Sequence, residues 1–334
     1  MSTTTTPAAT RTHRRFPVTA AQLPVVGTFV VLALMLIIGG MRYDNFLTVR
    51  TMANLLINNS FLIALAVGMT FVILMGGIDL SVGAVLALGA IVTASLLRDG
   101  FPIWIVLPLA ILTGTAIGLL HGLFIHYFKI QPFIATLAGM FLARGLCFVI
   151  APESIPINDP SFVALAGINV PIGSGGFRLT GAVLIALVLL AGAFYVLHYT
   201  RLGRTVYAIG GGEQSALMMG LPVARTKVLG YVISGTCAGL GGVLFAMFSR
   251  SGYALTGVGM ELDAIAAVVI GGTLLLGGSG YVLGSFIGVL VLGLIQTIIT
   301  YEGTLSSWWT KIVIGALLLI FVILQRLLSR RQER

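Results

Sequence analysis

The sequence predicts an all-α, polytopic membrane protein with about ten transmembrane helices. Three observations carry this expectation. Of the 334 residues, 58% are hydrophobic and 9% charged, whereas a soluble domain carries roughly 25% charged residues. The mean hydropathy is +1.08. Apolar runs near residues 25–41, 58–75, 82–97, 103–120, 132–151, 179–198, 228–249, 262–276, 281–300 and 308–326 approach the about 20 residues a helix needs to cross a bilayer. What remains is too short for a soluble domain of useful size. The formal charge of +9 is no mark of nucleic acid binding, because the basic residues gather at the ends of the expected helices.

In chain order, residues 1–24 read as a polar, disordered, cytoplasmic tail. The first apolar run is longer than a signal-peptide core and no small-x-small cleavage site follows it, so it reads as an uncleaved span. It opens a transmembrane domain over residues 25–327. Leu47 to Leu56 is amphipathic and reads as an interfacial piece before the second span. Gly76-Gly77-Ile78-Asp79-Leu80-Ser81 then interrupts the apolar sequence. The glycines let the backbone leave the helix, and Asp79 and Ser81 are placed to cap the next one.

The proline-rich interval 152–178, with its Gly173-Ser174-Gly175-Gly176 run, reads as a shaped outer loop rather than a helix. Tyr199 to Lys227 is the longest polar interval on the inner side. Within it, Glu213 to Met219 is bounded by Gly210–Gly212 and by Gly220 with Pro222, which predicts a stub helix too short to span. Residues 328–334 read as a basic cytoplasmic tail. Alternating the spans from a cytoplasmic N-terminus puts most of the 19 Lys and Arg inside, as the positive-inside bias requires.

Gly114, Gly118 and Gly122, Gly235 with Gly239, and Gly284 with Gly288 recur at four-residue spacing, which lets transmembrane helices pack closely. Cys147 and Cys237 sit in apolar runs and read as small core residues. Ile78-Asp79-Leu80 and Leu262-Asp263-Ala264 each open a helix rich in small residues, on spans running in opposite directions. An inverted repeat of five plus five helices has this form.

No GxxxxGK[ST] loop, HExxH or cysteine–histidine ligand spacing occurs, which disfavours a membrane enzyme. Asp79, Arg144 and Asp263 are the ionisable residues in apolar surroundings that need an account. Each either caps a helix end or pairs with backbone inside the bundle, or the three line a polar path for a hydroxylated solute. Arg144 is expected beside one of the aspartates, since a lone charge at the bilayer centre costs about 2.5–3.5 kcal/mol. Gly76–Gly77 and Gly277–Gly278 read as hinge or gate positions. The buried carboxylates alone fit an ion-driven carrier equally well; the stub helix does not follow from such a carrier.

GGIDLSVG at 76–83, the run from Leu202 to Gly212, and ELDAIAAVVIGGT at 261–273 resemble the sugar branch of bacterial ABC importer permeases, the ribose-permease-like family, from about Phe46 to Leu324. Glu153 to Asn158 and Gly303 to Lys311 further resemble a permease subunit of galactofuranose importers. The resemblance implies a non-catalytic half of a translocation path in the bacterial inner membrane, among membrane lipids. Its implied partners are a second, non-identical permease, a periplasmic sugar-binding protein, and a cytoplasmic ATPase, dimeric or fused. ATP and Mg would sit on that ATPase, with no cofactor on this chain. Residues 213–222 occupy the place of the family's coupling segment. Glu213 and Gly220 fit its pattern, while Gln214 and Ser215 replace two alanines. The implied path or gate comprises Gly76, Gly77, Asp79, Ser81, Arg144, Asp263, Gly277 and Gly278. The implied ATPase contact comprises Glu213, Ser215, Ala216, Met219 and Gly220.

Overall fold

The structure is a computed structural model that describes residues 23–172, 177–304, 306 and 308–332. The expected N-terminal tail lies outside the described residues as far as residue 22, and so does the 173–176 run. The C-terminal tail is helical to Gln332.

Among the described residues, thirteen helices and four short strands follow one another. They are α1 (Leu23–Arg42), α2 (Val49–Leu74), α3 (Val82–Arg98), α4 (Ile103–Tyr127), α5 (Pro132–Ile150), β1 (Ile155–Pro156), α6 (Pro160–Ala166), β2 (Asn169–Ile172), β3 (Phe177–Thr180), α7 (Gly181–Tyr199), α8 (Arg201–Gly211), α9 (Glu213–Met218), α10 (Val223–Ser249), β4 (Ser251–Gly252), α11 (Met260–Ile270), α12 (Val282–Glu302) and α13 (Trp308–Gln332). Every expected apolar run coincides with a helix. Among the described residues, seven helices are long and apolar enough to cross a membrane: α1, α2, α4, α5, α7, α10 and α12. The run expected as the eighth span is only an 11-residue helix, α11, which rises about 16 Å, half the hydrocarbon thickness.

Two expectations are corrected. Leu47 to Leu56 is no separate interfacial piece. Thr48 caps α2 by accepting from the Thr51 amide at 3.2 Å, and the helix continues without a break because no Gly or Pro interrupts residues 49–67. The proline-rich loop, expected to be non-helical, also holds a helix, α6. Asp159 accepts from the Phe162 amide at 2.9 Å and Pro160 follows at the first helical position, where a proline starts a helix instead of breaking it. β1 pairs antiparallel with β4, and β2 with β3.

The core forms where α10 lies against α2, α3 and α4. Glycines set the distance between them. A Cβ on Gly114 would overlap the Gly235 carbonyl oxygen, one on Gly118 the Tyr231 carbonyl oxygen, and one on Gly242 the Leu86 carbonyl oxygen. Gly284 and Gly288 of α12 meet Gly271, just past the end of α11, and Ala267 of α11 in the same way. The packing repeats: α3 touches α4, α5 and α10, as α11 touches α12, α13 and α2, and α4 lies on α10 as α12 lies on α2. These pairings relate α2–α5 to α10–α13; α1, which touches α12, and α7, which touches α2, do not follow the same scheme. Both cysteines are buried and free.

Gly114→Ala drives a methyl group into the α10 backbone, and it should destabilise the protein by about 1–3 kcal/mol, the usual range for overpacking. Gly145→Ala, with open space around it, should not. Thermal unfolding in detergent compares the two.

Candidate translocation and coupling site

α2 ends on a glycine turn. The Gly76 amide donates to the Ile73 carbonyl at 2.8 Å and the Gly77 amide to the Val72 carbonyl at 3.0 Å. Gly76 has φ +77, a conformation that costs glycine little. The Leu74 carbonyl takes its donor from far along the chain, the Gly278 amide at 2.9 Å. Gly277 and Gly278 have φ +89 and +76, and a Cβ on Gly277 would stand 2.7 Å from the Gly76 nitrogen. A Cβ on Gly210 of α8 would overlap the Leu74 carbonyl oxygen and the Gly278 nitrogen. The two glycine breaks and the end of α8 therefore form one junction. Tyr207 of α8 reinforces it by donating to the Gly280 carbonyl at 2.8 Å. Burial, with Tyr281 nearby, pushes the Tyr207 phenol up to about 12, so it stays a donor at neutral pH.

Asp79 is completely buried. Its Oδ1 accepts from the Ser81 amide at 3.0 Å and the Ser81 hydroxyl at 2.6 Å, and its Oδ2 accepts from the Ser234 hydroxyl of α10 at 2.8 Å. Ser81 stands at the N-cap of α3 but makes no side-chain cap, contrary to expectation, because its hydroxyl is committed to Asp79.

Arg144 does not pair with an aspartate, which corrects a further expectation. Its Nη1 donates to the Ala254 carbonyl and, at 2.7 Å, to the Thr256 carbonyl. The 250–259 loop, with Gly257 and Gly259 at positive φ, presents those oxygens. Asp263 is paired by Lys311, whose Nζ lies 2.7 Å from both carboxylate oxygens. Sequence reasoning missed that pair, although a lysine inside an apolar run itself asks for a counter-charge. It also passed over Glu261, two residues away. The Glu261 carboxylate accepts from the Gly259 amide at 3.1 Å and lies against Gly83, so α3 and α11 begin side by side.

On the other face of the junction, α9 forms where the stub was expected, and Gly220 at φ +73 ends its turn. Ala216 is buried among Leu197, Val206, Ile209 and Val223. Leu217, Met218 and Met219 are 54%, 80% and 66% exposed, and Ser215 is exposed beside them. Glu213 pairs with Lys227 at 2.7 Å. Helix α8 was not anticipated. Its Arg201 and Arg204 are exposed while Val206 and Ile209 are buried, so it lies half-embedded beneath α9.

The described residues thus form a bundle of apolar helices that carries a short helix with exposed apolar side chains on one face. Residues 51–322 match the family described as branched-chain amino acid transport system / permease component, and the chain belongs to that permease family, in its ribose-permease-like branch. It is 49% identical to the inner membrane ABC transporter permease protein YjfF of Escherichia coli, over 85% of this chain and 86% of the relative. It is 42% identical to the fructose import permease protein FruG of Bifidobacterium longum, over 98% and 97%. The ribose import permease protein RbsC of Haemophilus influenzae is 36% identical over 91% and 94%. No solved structure matches. Family membership makes the chain a non-catalytic, multi-pass inner-membrane component and implies an ATPase and a periplasmic binding protein as partners.

Ser234→Ala would leave the buried Oδ2 of Asp79 without its donor, a loss of about 1–3 kcal/mol. Arg98→Met removes only a pair with Asp99 whose side chains are 52% and 50% exposed, and should change stability by less than about 1 kcal/mol. Unfolding of both variants in detergent checks the contrast.

Proposed function

We propose that this chain is one of two permease subunits of a binding-protein-dependent importer for a monosaccharide, and that the monosaccharide is galactofuranose. The observation that carries the sugar class is identity along nearly the whole chain to a fructose permease, with ribose permeases close behind. The narrower choice rests on the stretches 153–158 and 303–311. The second permease is a similar, non-identical chain, both termini are cytoplasmic, and the ATPase carries ATP and Mg.

In this reading the ATPase grips α9 through the exposed Leu217, Met218 and Met219, with Glu213, Ser215 and Gly220 fixing the helix in place. Ala216 transmits the displacement to α8, and α8 passes it to the junction of Gly76, Gly77, Gly277 and Gly278, which gates the inner end of the path. Asp79 and Ser81 hold the start of α3 during that motion. Arg144 and Asp263 shape the opposite part of the path. Specificity resides mainly in the binding protein, so the path offers weak, sequential contacts that let the cargo leave.

Gly220→Val tests the coupling. A side chain at residue 220 meets open space, but the left-handed backbone disfavours it by about 1–2 kcal/mol, which displaces the end of α9. The variant should reach the membrane and fail to support uptake of labelled galactofuranose, fructose or ribose with its partner chains. Uptake at the normal rate would refute the assignment of α9.

A further inference from the structure

At the end of the bundle away from α8 and α9 lies a cavity of about 250 Å³ between α2, α11, α12 and α13. Its polar lining is Asn59, Asp263, Gln296, Thr300, Thr310 and Lys311. Leu62, Leu292, Ile299 and Ile314 form its apolar floor. Asn59 precedes Leu74 by fifteen residues on one continuous helix, so the cavity lies about 22 Å from the glycine junction along α2.

The arrangement is wrong for a surface that faces lipid. Gln296 and Thr300 are exposed on α12, and the Lys311 side chain is 52% exposed on α13. Polar groups at membrane depth are tolerated where they line a water-filled cavity or are covered by protein. The Asp263–Lys311 pair satisfies its own charges, and Asn59 spends its amide on the Leu55 carbonyl at 2.8 Å. Among the described residues, the Gln296 carboxamide and the Thr310 hydroxyl have no hydrogen-bond partner. That leaves donors and acceptors of both kinds facing one small space above an aliphatic floor.

The geometry points to a binding site for a single small polyhydroxylated solute. A carboxylate accepts from hydroxyl groups, a carboxamide and a hydroxyl both give and accept, and an ammonium donates. The aliphatic floor suits the C–H face of a sugar ring. The volume is below the roughly 300–1,000 Å³ of drug-sized pockets, which fits one monosaccharide and excludes an oligosaccharide. Hydrogen bonds shared with water keep such a site weak, as a passage point requires. This inference rests on the sugar-permease reading and adds to it a subsite, at the mouth opposite the coupling face, contained within one subunit.

The test uses the complete importer in proteoliposomes, with labelled D-fructose, D-ribose and galactofuranose as probes. Gln296→Leu and Thr310→Val keep the size of the side chain and remove its hydrogen bonding. Each should lower uptake about tenfold, the factor for losing one hydrogen bond of ~1.4 kcal/mol. In parallel, Thr300→Cys is treated with an impermeant thiol reagent from the side opposite the ATPase; both native cysteines are buried. The reagent should reach residue 300, and saturating sugar should slow the reaction. Undiminished uptake in both variants, a residue 300 sealed against the reagent by the partner subunit, or labelling indifferent to sugar would overturn the site while leaving the permease reading intact. An unaltered importer that carries none of the three sugars would overturn that reading itself, and this site with it.

Discussion

One main-chain hydrogen bond, from the Gly278 amide to the Leu74 carbonyl, decides how this molecule holds the α8 and α9 end of its bundle together. α2 is the most buried of the long helices and stops inside the protein. A carbonyl left there without a donor would carry the full penalty of desolvation. Supplying the donor from another backbone requires close approach, which residues 76, 210, 277 and 278 permit because none has a side chain. The result is a single body made from the end of α2, the loop before α12 and the end of α8. A force applied to α9 has a short, stiff route through Ala216 and α8 to the most deeply buried helix.

The ionisable groups follow a related logic at the other breaks. α3 and α11 are too short to cross a bilayer with margin, and both begin inside the protein, next to each other. Asp79 fastens the start of α3 to α10 through Ser234, and Glu261 closes the turn before α11. Arg144 spends its charge on loop carbonyls, and Asp263 meets Lys311. Each of these groups finds its partner within the protein, which removes the need for the aspartate–arginine pair that the sequence invited. In this conformation Asp79 and Ser81 are sealed in the core and line no open path.

The helices were legible in the sequence because a bilayer selects for apolar length, and that signal survives without knowledge of packing. The glycine turn at 76–77, the four-residue glycine spacings and the stub at 213 were legible because each is a local conformational requirement. What depended on distant partners was not. Nothing near Leu74 announces Gly278, and nothing near Asp263 announces Lys311, 48 residues on. Local chemistry was also misread in places. Pro156 and Pro160 read as helix breakers in the sequence, although Pro160 follows the capping Asp159 and opens α6. The polar face of α8 hid its helical period, since Gly203, Gly210 and Gly211 lower its intrinsic helix propensity.

Leu276, 91% exposed beside Gly76, offers the most direct measurement. With Leu276→Cys in the assembled importer, the rate of modification by a thiol reagent from the ATPase side should change severalfold between the nucleotide-free and the vanadate-trapped states. The change should vanish when Met218→Glu breaks the grip on α9. A rate indifferent to nucleotide, or a change that persists without that grip, would contradict the claim that force enters at α9 and reaches the gate through the glycine junction.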